Sequence, residues 1–431
     1  MIKIIRANSS VGKEHMESIK KRTEDVQKDV NIVVDKIVED VKSRGDDAII
    51  QYTQKFDSKF ITRENLIVST EEIKSAYKMV DQDFLDAINL AKKNVTEFHE
   101  KQIRNPWMMT KENGVILGQT VRGVESAGIY VPGGTAVYPS SVIMNAIPAK
   151  VAGVKNLVMV TPPLADGGIN PHILVAADIA GVDKIYKVGG AQAIAGLAFG
   201  TESISKVDKI VGPGNIYVAM AKRSVFGYVD IDMIAGPSEI LIIADETANE
   251  KFIAADLMSQ AEHDVLASAM LITTSKELAD NVVKELEIQI KTMSRKHIIE
   301  ESLSKYGVIL IVENINAAIE LANKIAPEHL EVLVESPFDF LGNIKNAGSI
   351  FLGEYSPEPL GDYVAGPNHV LPTGGTARFF SPLSVDDFIK KSSYIYYTKE
   401  ALGEVKDKVI KLTEVEGLTA HGNSIKVRFE K

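Results

Sequence analysis

The chain has no cysteine in its 431 residues. That excludes a disulfide framework, a thiolate nucleophile, cysteine-ligated zinc and iron–sulfur chemistry. Long apolar runs are missing too. The longest, such as residues 240–244 and 308–312, have the length of core strands, far below the ~20 residues of a membrane span. The N-terminal stretch MIKIIRANSSVGKEHMESIKKRTED is charged almost from its start and holds no apolar signal core. Basic residues are outnumbered, 48 Lys and Arg against 58 Asp and Glu. A net charge of −10 argues against a nucleic-acid binder, which needs a basic stripe. These absences lead us to expect a cytoplasmic protein without a nucleic-acid or membrane partner.

What is present is an ordinary globular composition, 45% hydrophobic and 25% charged, on a chain long enough for two or three compact units. Residues 1 to about 110 read as mostly helical, with apolar side chains at three- and four-residue steps in 30–41 and 71–80. From about 115 short β-branched strands alternate with helices and glycine turns. Strands are expected at 128–131, 156–160, 184–188 and 209–211, then again at 240–244, 269–273, 308–312 and 330–334. This is the βαβ signature of parallel sheets. Two α/β units with helical extensions at both ends follow from it.

Five segments carry chemically useful side chains. Gln260 and His263 sit three apart near the end of an expected helix, 250–262, so they share a face and can share a metal. Such pairs are also ordinary surface residues. Glu328 and His329 lie between a helix stopped by Pro327 and a buried strand, where a carboxylate can activate water and an imidazole can shuttle protons. The plain alternative is a histidine at the negative end of a helix dipole. Asp362 stands in a long Gly/Pro-rich loop, 353–375, as a metal ligand or a turn former, with His369 a rival ligand. Glu416 and His421 read locally as a helix end and a loose tail. The turns 130–134, 189–192 and 212–215 follow strands, where an open α/β sheet binds ligands; none matches G-x-G-x-x-G.

Taken in order, GIYVPGG (128–134), GGAQAIAGLAFG (189–200), GPGN (212–215), AGPSE (235–239), SQAEH (259–263), APEHLE (326–331), PLGDY (359–363), AGPNHVLPTGG (365–375) and EGLTAH (416–421) closely resemble the histidinol dehydrogenase family over essentially the whole chain. The resemblance implies oxidation of L-histidinol to L-histidine through histidinaldehyde with two NAD⁺, the last step of histidine biosynthesis. It implies one zinc per site, held by Gln260, His263 and Asp362 of one subunit and His421 of its partner. Glu328 and His329 would be the catalytic acid/base pair. Ser238 and Glu416 would touch substrate, alongside the zinc ligands and His329, with Glu416 also from the partner. Tyr130, Gln192 and Asn215 would contact NAD. The implied fold is two incomplete Rossmann-like α/β domains with helical N- and C-terminal extensions in an intertwined homodimer. Its expected boundaries are an arm over 1–25, a metal-bearing domain over 26–129 plus 238–380, an NAD-contacting domain over 130–237 and a C-terminal extension over 381–431.

The missing cysteines bear on that chemistry. Many aldehyde oxidations run through a cysteine thiohemiacetal, which this chain cannot form. Water must then add to the aldehyde, and the hydrate must lose hydride. Zinc is not redox active, so positioning an imidazole- and amine-bearing substrate is the expected role, with Glu328 activating water. Two rivals remain at this stage: a dehydrogenase for another amino alcohol, and a two-domain binding protein for a small zwitterion.

Overall fold

A near-continuous run of apolar residues suits a strand buried on both faces, as in a parallel sheet covered by helices. Glu239–Ala244 and Ser268–Thr273 are such strands, buried at all six positions. The computed structural model describes residues 2–21, 24–133 and 137–430, without the side chains of 20–28. Residues 22–23 of the expected arm and Gly134 of the first glycine turn lie outside the described residues. The chain divides into two units, Met1–Gln102 with Val124–Phe388, and Ile103–Gly123 with Ile389–Lys431.

The first unit holds two parallel sheets. One runs, in spatial order, Lys3–Arg6, Val308–Ile311, Ser268–Thr273, Glu239–Ala244, His329–Leu333, Ser349–Leu352. The other runs Lys184–Lys187, Asn156–Thr161, Ser126–Tyr130, Lys209–Val211, Asp230–Ile231. Numbered along the chain, and leaving out Lys3–Arg6, both have the order 3-2-1-4-5. That is a doubly wound arrangement, with a crevice where the order reverses. In the first sheet the reversal falls between Glu239–Ala244 and His329–Leu333, in the second between Ser126–Tyr130 and Lys209–Val211.

The N-terminal hundred residues depart from the all-helical reading at Lys3–Arg6, an edge strand paired in parallel with Val308–Ile311. Its side chains are exposed or half-buried, so no alternation betrays it. The expected boundaries group the helices that follow with 238–380. In the structure they cover the five-stranded half instead: Glu24–Arg44 packs on Gly190–Phe199 and Ile216–Val225, and Gln82–Glu100 packs on Pro139–Val151.

The second unit is an antiparallel sheet in which Ile116–Gly123 pairs with Trp107–Thr110 on one side and Ile389–Tyr396 on the other. Two helices follow, Lys399–Val415 and Thr419–Lys426. All four residues of Trp107–Thr110 are exposed, and so are Ile395, Tyr396, Leu412 and Val415.

Candidate active site

Strand Glu239–Ala244 begins beside strand His329–Leu333, with His329 opposite Ile240. This places the backbone of Glu239 against the two side chains that precede and open the neighbouring strand. Its N–H donates to Glu328 Oε2 at 2.8 Å, and its carbonyl lies 2.9 Å from His329 Nδ1. A carbonyl only accepts, so Nδ1 carries the proton and Nε2 is left as the basic nitrogen. That Nε2 is buried and has no hydrogen-bond partner among the described residues. Burial holds the His329 imidazole below its ordinary value, against the pull of Asp362. The ring is therefore neutral at pH 7 and ready to take a proton.

The chain reaches this point through Ala326, which caps helix Ile315–Ile325 at φ 56°. Ala326 has the one left-handed backbone among the described non-glycine residues. An alanine there costs about 1–3 kcal/mol. The reversal, followed by Pro327, ends the helix within one residue and starts the strand that bears His329. Ser238, half-buried, precedes Glu239 at the same sheet edge, its carbonyl taken by Ser268 N at 2.9 Å.

His329 Nε2 faces a group of acids, 3.8 Å from both Glu358 Oε1 and Asp362 Oδ1. These two stand four apart on a six-residue helix, Glu358–Tyr363, inside the stretch read on sequence as an irregular loop. Gly361 lets that helix lie against the preceding strand, since a Cβ there would come 2.6 Å from the Phe351 ring. The N–H of Glu358 donates to the carboxylate of Glu331 at 2.8 Å, fixing the first turn. His263 joins the same cluster: one ligand atom each from His263, Glu358 and Asp362 lies within 4.8 Å of the others. Burial pushes the Glu358 carboxyl up to about 10, with Asp362 beside it adding to the rise.

Gln260 sits on the last turn of helix Glu250–Ala261, one residue shorter than expected. His263 lies just past the helix end, its N–H on the Gln260 carbonyl at 3.3 Å, so the pair still spans one turn. Gln260 Oε1 is buried with no hydrogen-bond partner among the described residues. An orphaned acceptor costs about 1–3 kcal/mol unless something outside the protein satisfies it. The clustered His263, Glu358 and Asp362 form an oxygen–nitrogen donor set that suits a borderline divalent cation such as zinc. His369 is not a rival for that position. Its Nδ1 donates to the Asp362 carbonyl at 3.0 Å and its Nε2 meets Ser141 Oγ at 3.3 Å, so both ring nitrogens are engaged. Glu358 escaped the sequence reading because the helix did; the four-residue spacing to Asp362 was its only signal.

Tyr130, Gln192 and Asn215 each lie at the carboxyl edge of the five-stranded sheet. Tyr130 ends its strand and is buried, its hydroxyl accepting from Gly190 N at 3.1 Å. Gln192 lies in the first turn of helix Gly190–Phe199, buried, with Nε2 unpartnered among the described residues. Asn215 caps helix Ile216–Val225, its Oδ1 accepting from Tyr217 N and Val218 N. The N-terminus of helix Ile216–Val225 opens beside the strand-order reversal, while helix Gly190–Phe199 starts after the outer strand Lys184–Lys187 and reaches Tyr130 through Gly190 N; helix N-termini at such an edge suit an anion. Glu416 and His421 belong to the second unit. There Glu416 caps helix Lys399–Val415 and His421 lies on helix Thr419–Lys426, both exposed.

Residues 20–429 match the family model for histidinol dehydrogenase. A curated histidinol dehydrogenase from Clostridium acetobutylicum is 63% identical over 430 residues, covering 100% of this chain and 99% of its own. One from Caldanaerobacter subterraneus subsp. tengcongensis is 60% identical over 411 residues, 95% of each chain. The crystal structure of histidinol dehydrogenase from Elizabethkingia anophelis superposes with a TM-score of 0.87 at 42% identity, covering 92% of each chain.

Proposed function

The chain belongs to the histidinol dehydrogenase family, a family of oxidoreductases, and from that premise we propose that it converts L-histidinol to L-histidine in two NAD⁺-dependent oxidations. The observation that carries the reading is the pairing of Glu328 and His329 on the backbone of one residue, Glu239, with the His329 Nε2 lacking a hydrogen-bond partner among the described residues and facing the acid–imidazole cluster. A residue kept neutral, with its basic nitrogen facing a polar site, is what removal of an alcohol proton needs.

In the first step His329 Nε2 takes the hydroxyl proton of histidinol while the carbinol carbon gives hydride to NAD⁺, leaving the aldehyde. Glu328 then assists water in adding to the aldehyde carbon. Once His329 has passed its first proton to solvent and NADH has been replaced by a second NAD⁺, His329 takes a proton from the resulting hydrate as its carbon gives hydride to that NAD⁺. The products are the carboxylate, two NADH and the released protons. The Glu239 N–H fixes the carboxylate of Glu328, and the Glu239 carbonyl fixes the imidazole tautomer, so one strand end orients both groups. Help of this kind is worth roughly 10²–10⁴ in rate.

Gln260, His263 and Asp362 would hold zinc, with Glu358 close enough to bear on the site. When bound, zinc would fix the imidazole and amine of the substrate and so orient the reacting carbon. His421 of a second copy would complete the ligand set and Glu416 of that copy would meet the substrate. The exposed apolar residues of the second unit, Trp107 and Ile395 among them, favour a homodimer. Tyr130, Gln192 and Asn215 would receive NAD at the carboxyl edge of the five-stranded sheet, and Ser238 would touch the substrate.

The test is the NADH formed per histidinol consumed, with and without a chelator. Two per substrate, lost on chelation and restored by zinc, is the expected result. A ratio of one, or turnover indifferent to chelator and zinc, sinks the respective half of the proposal.

A further inference from the structure

In a doubly wound dinucleotide site the pyrophosphate lies after the first strand, and an acidic side chain at the end of the second strand takes the hydroxyls of the adenosine ribose. Here the first strand is Ser126–Tyr130 and the second Asn156–Thr161. The loop after the second strand, Thr161-Pro162-Pro163-Leu164-Ala165-Asp166, has its own acid, but Asp166 is spent on its turn: Oδ1 accepts from Gly168 N at 2.9 Å. A second carboxylate comes from elsewhere. Asp57 ends helix Asp46–Phe56, and the next residue, buried Ser58, donates its hydroxyl to the carbonyl of Ala165 at 3.0 Å. Phe60 packs on the same loop, its Cβ 3.2 Å from where a Cβ on Gly167 would stand. The helix end is thereby pinned to the carboxyl edge of the sheet.

Asp57 has no structural employment there. Its Oδ2 is buried and has no hydrogen-bond partner among the described residues. Burial alone pushes the carboxyl up to about 6, and its charge is near enough to raise the phenol of Tyr130. Asp57 does not line it, but a cavity of about 240 Å³ opens at the same sheet edge between Pro132, Gly133, Thr161, Pro162 and Ala165, the last being the residue that Ser58 holds. Gln192 brings a second unpartnered atom, the donor Nε2, to the same edge. An unsatisfied acceptor held to the loop after the second strand and an unsatisfied donor on the same sheet edge are complementary to a nucleotide, whose ribose diol donates and whose phosphates accept.

We propose that Asp57 binds the 2′-hydroxyl of the adenosine ribose and is the residue that selects NAD⁺ over NADP⁺. A diol offers two O–H donors to the carboxylate, which compensates its burial. A 2′-phosphate would set a dianion against a half-buried anion, and is rejected by repulsion. A purely structural Asp57 would affect coenzymes alike. This inference rests on the reading that NAD binds at the carboxyl edge of the five-stranded sheet.

The experiment compares the intact zinc-loaded enzyme with Asp57→Asn at saturating histidinol, using NAD⁺, NADP⁺ and the 2′-deoxyadenosine analogue of NAD⁺. The wild type should prefer NAD⁺ to NADP⁺ in kcat/KM by at least a hundredfold. Asp57→Asn should raise KM for NAD⁺ about tenfold with kcat within twofold, and reduce the preference at least tenfold. The 2′-deoxy analogue should raise KM in the wild type about as much as the substitution does, and should add little in Asp57→Asn. Equal loss with all three coenzymes overturns the proposal, as does an unchanged KM and preference. The analogue in the wild type keeps the test decisive should Asp57→Asn not fold. A wild type that reduces NAD⁺ while Asp57→Asn behaves like it removes this inference alone; a wild type that forms no NADH removes the parent reading as well.

Discussion

Lys222 and Asp232 form a buried ion pair that holds Gly212 by both of its backbone polar groups. The ammonium pairs with Asp232 Oδ1 and donates to the Gly212 carbonyl at 3.0 Å, while Asp232 Oδ2 accepts from Gly212 N at 2.8 Å. Their side chains are only 3% and 1% exposed, so neither charge is shared with water. Gly212 stands at φ 111°, and a Cβ there would come 2.2 Å from the Tyr130 carbonyl. The pair therefore fixes the turn that leads to Asn215 at contact distance from Tyr130.

Removing one charge should leave the other uncompensated in the interior. Lys222→Met is expected to cost about 3–5 kcal/mol, read by urea unfolding, while the double variant Lys222→Met/Asp232→Asn should lose less than the single. A loss below about 1 kcal/mol for Lys222→Met would show the pair to be better hydrated than its burial says.

Glu328→Gln keeps an oxygen that can accept from Glu239 N but gives up the basicity. Turnover of histidinol should fall by about 10²–10⁴ or more, with zinc content and histidinol affinity, measured by calorimetry, preserved. Undiminished turnover would remove Glu328 from the mechanism.

A site completed by a second copy makes a mixing test possible. His421→Ala and Glu328→Ala chains, each inactive alone, should regain up to about a quarter of wild-type activity after subunit exchange, since half of randomly paired dimers carry one intact site of two. No recovery after exchange proven by native mass spectrometry would mean that His421 serves its own chain or none.

Glu331 predicts a pH dependence. It is fully buried, and burial first, then the nearby charge of Asp256, pushes its carboxyl well above the ordinary range. A group whose folded value is raised binds more protons folded than unfolded, so it stabilises at low pH and destabilises as pH climbs past the unfolded value near 4.3. Glu331→Gln keeps an oxygen for Glu358 N and removes the titration. The variant should match the wild type near pH 4 and gain on it by up to about 1.4 kcal/mol per pH unit above that, measured by unfolding midpoints at constant salt. A difference independent of pH would show that Glu331 does not titrate in the folded chain.

The two parallel sheets were legible because their strands are short, continuous and apolar, and helices and glycine turns punctuate them. The site was legible as a set of motifs, and Glu328, His329, His263 and Asp362 do converge. What sequence hid was mostly non-local or very short. Nothing near Lys3–Arg6 announces a partner at Val308–Ile311. Helix Glu358–Tyr363, with Pro359 and Gly361 inside six residues, reads as a loop until Phe351 and Glu331 are seen to hold it. His369 looked like a ligand because its engagement with Ser141 depends on a helix more than two hundred residues away.

The edge strand Lys3–Arg6 also sets a schedule for biosynthesis. Its only sheet neighbour among the described residues, Val308–Ile311, is made some three hundred residues later. At about 5–20 residues per second, the first strand waits roughly 15–60 s unpaired on the ribosome. The five-stranded half, whose strands and covering helices all lie between Glu24 and Ile231, can form well before that. The nascent chain can thus complete its five-stranded half first and close the other around a strand it made at the outset. Its half-polar sequence, KIIR, suits such a wait, because a more apolar edge would be exposed to other nascent chains throughout.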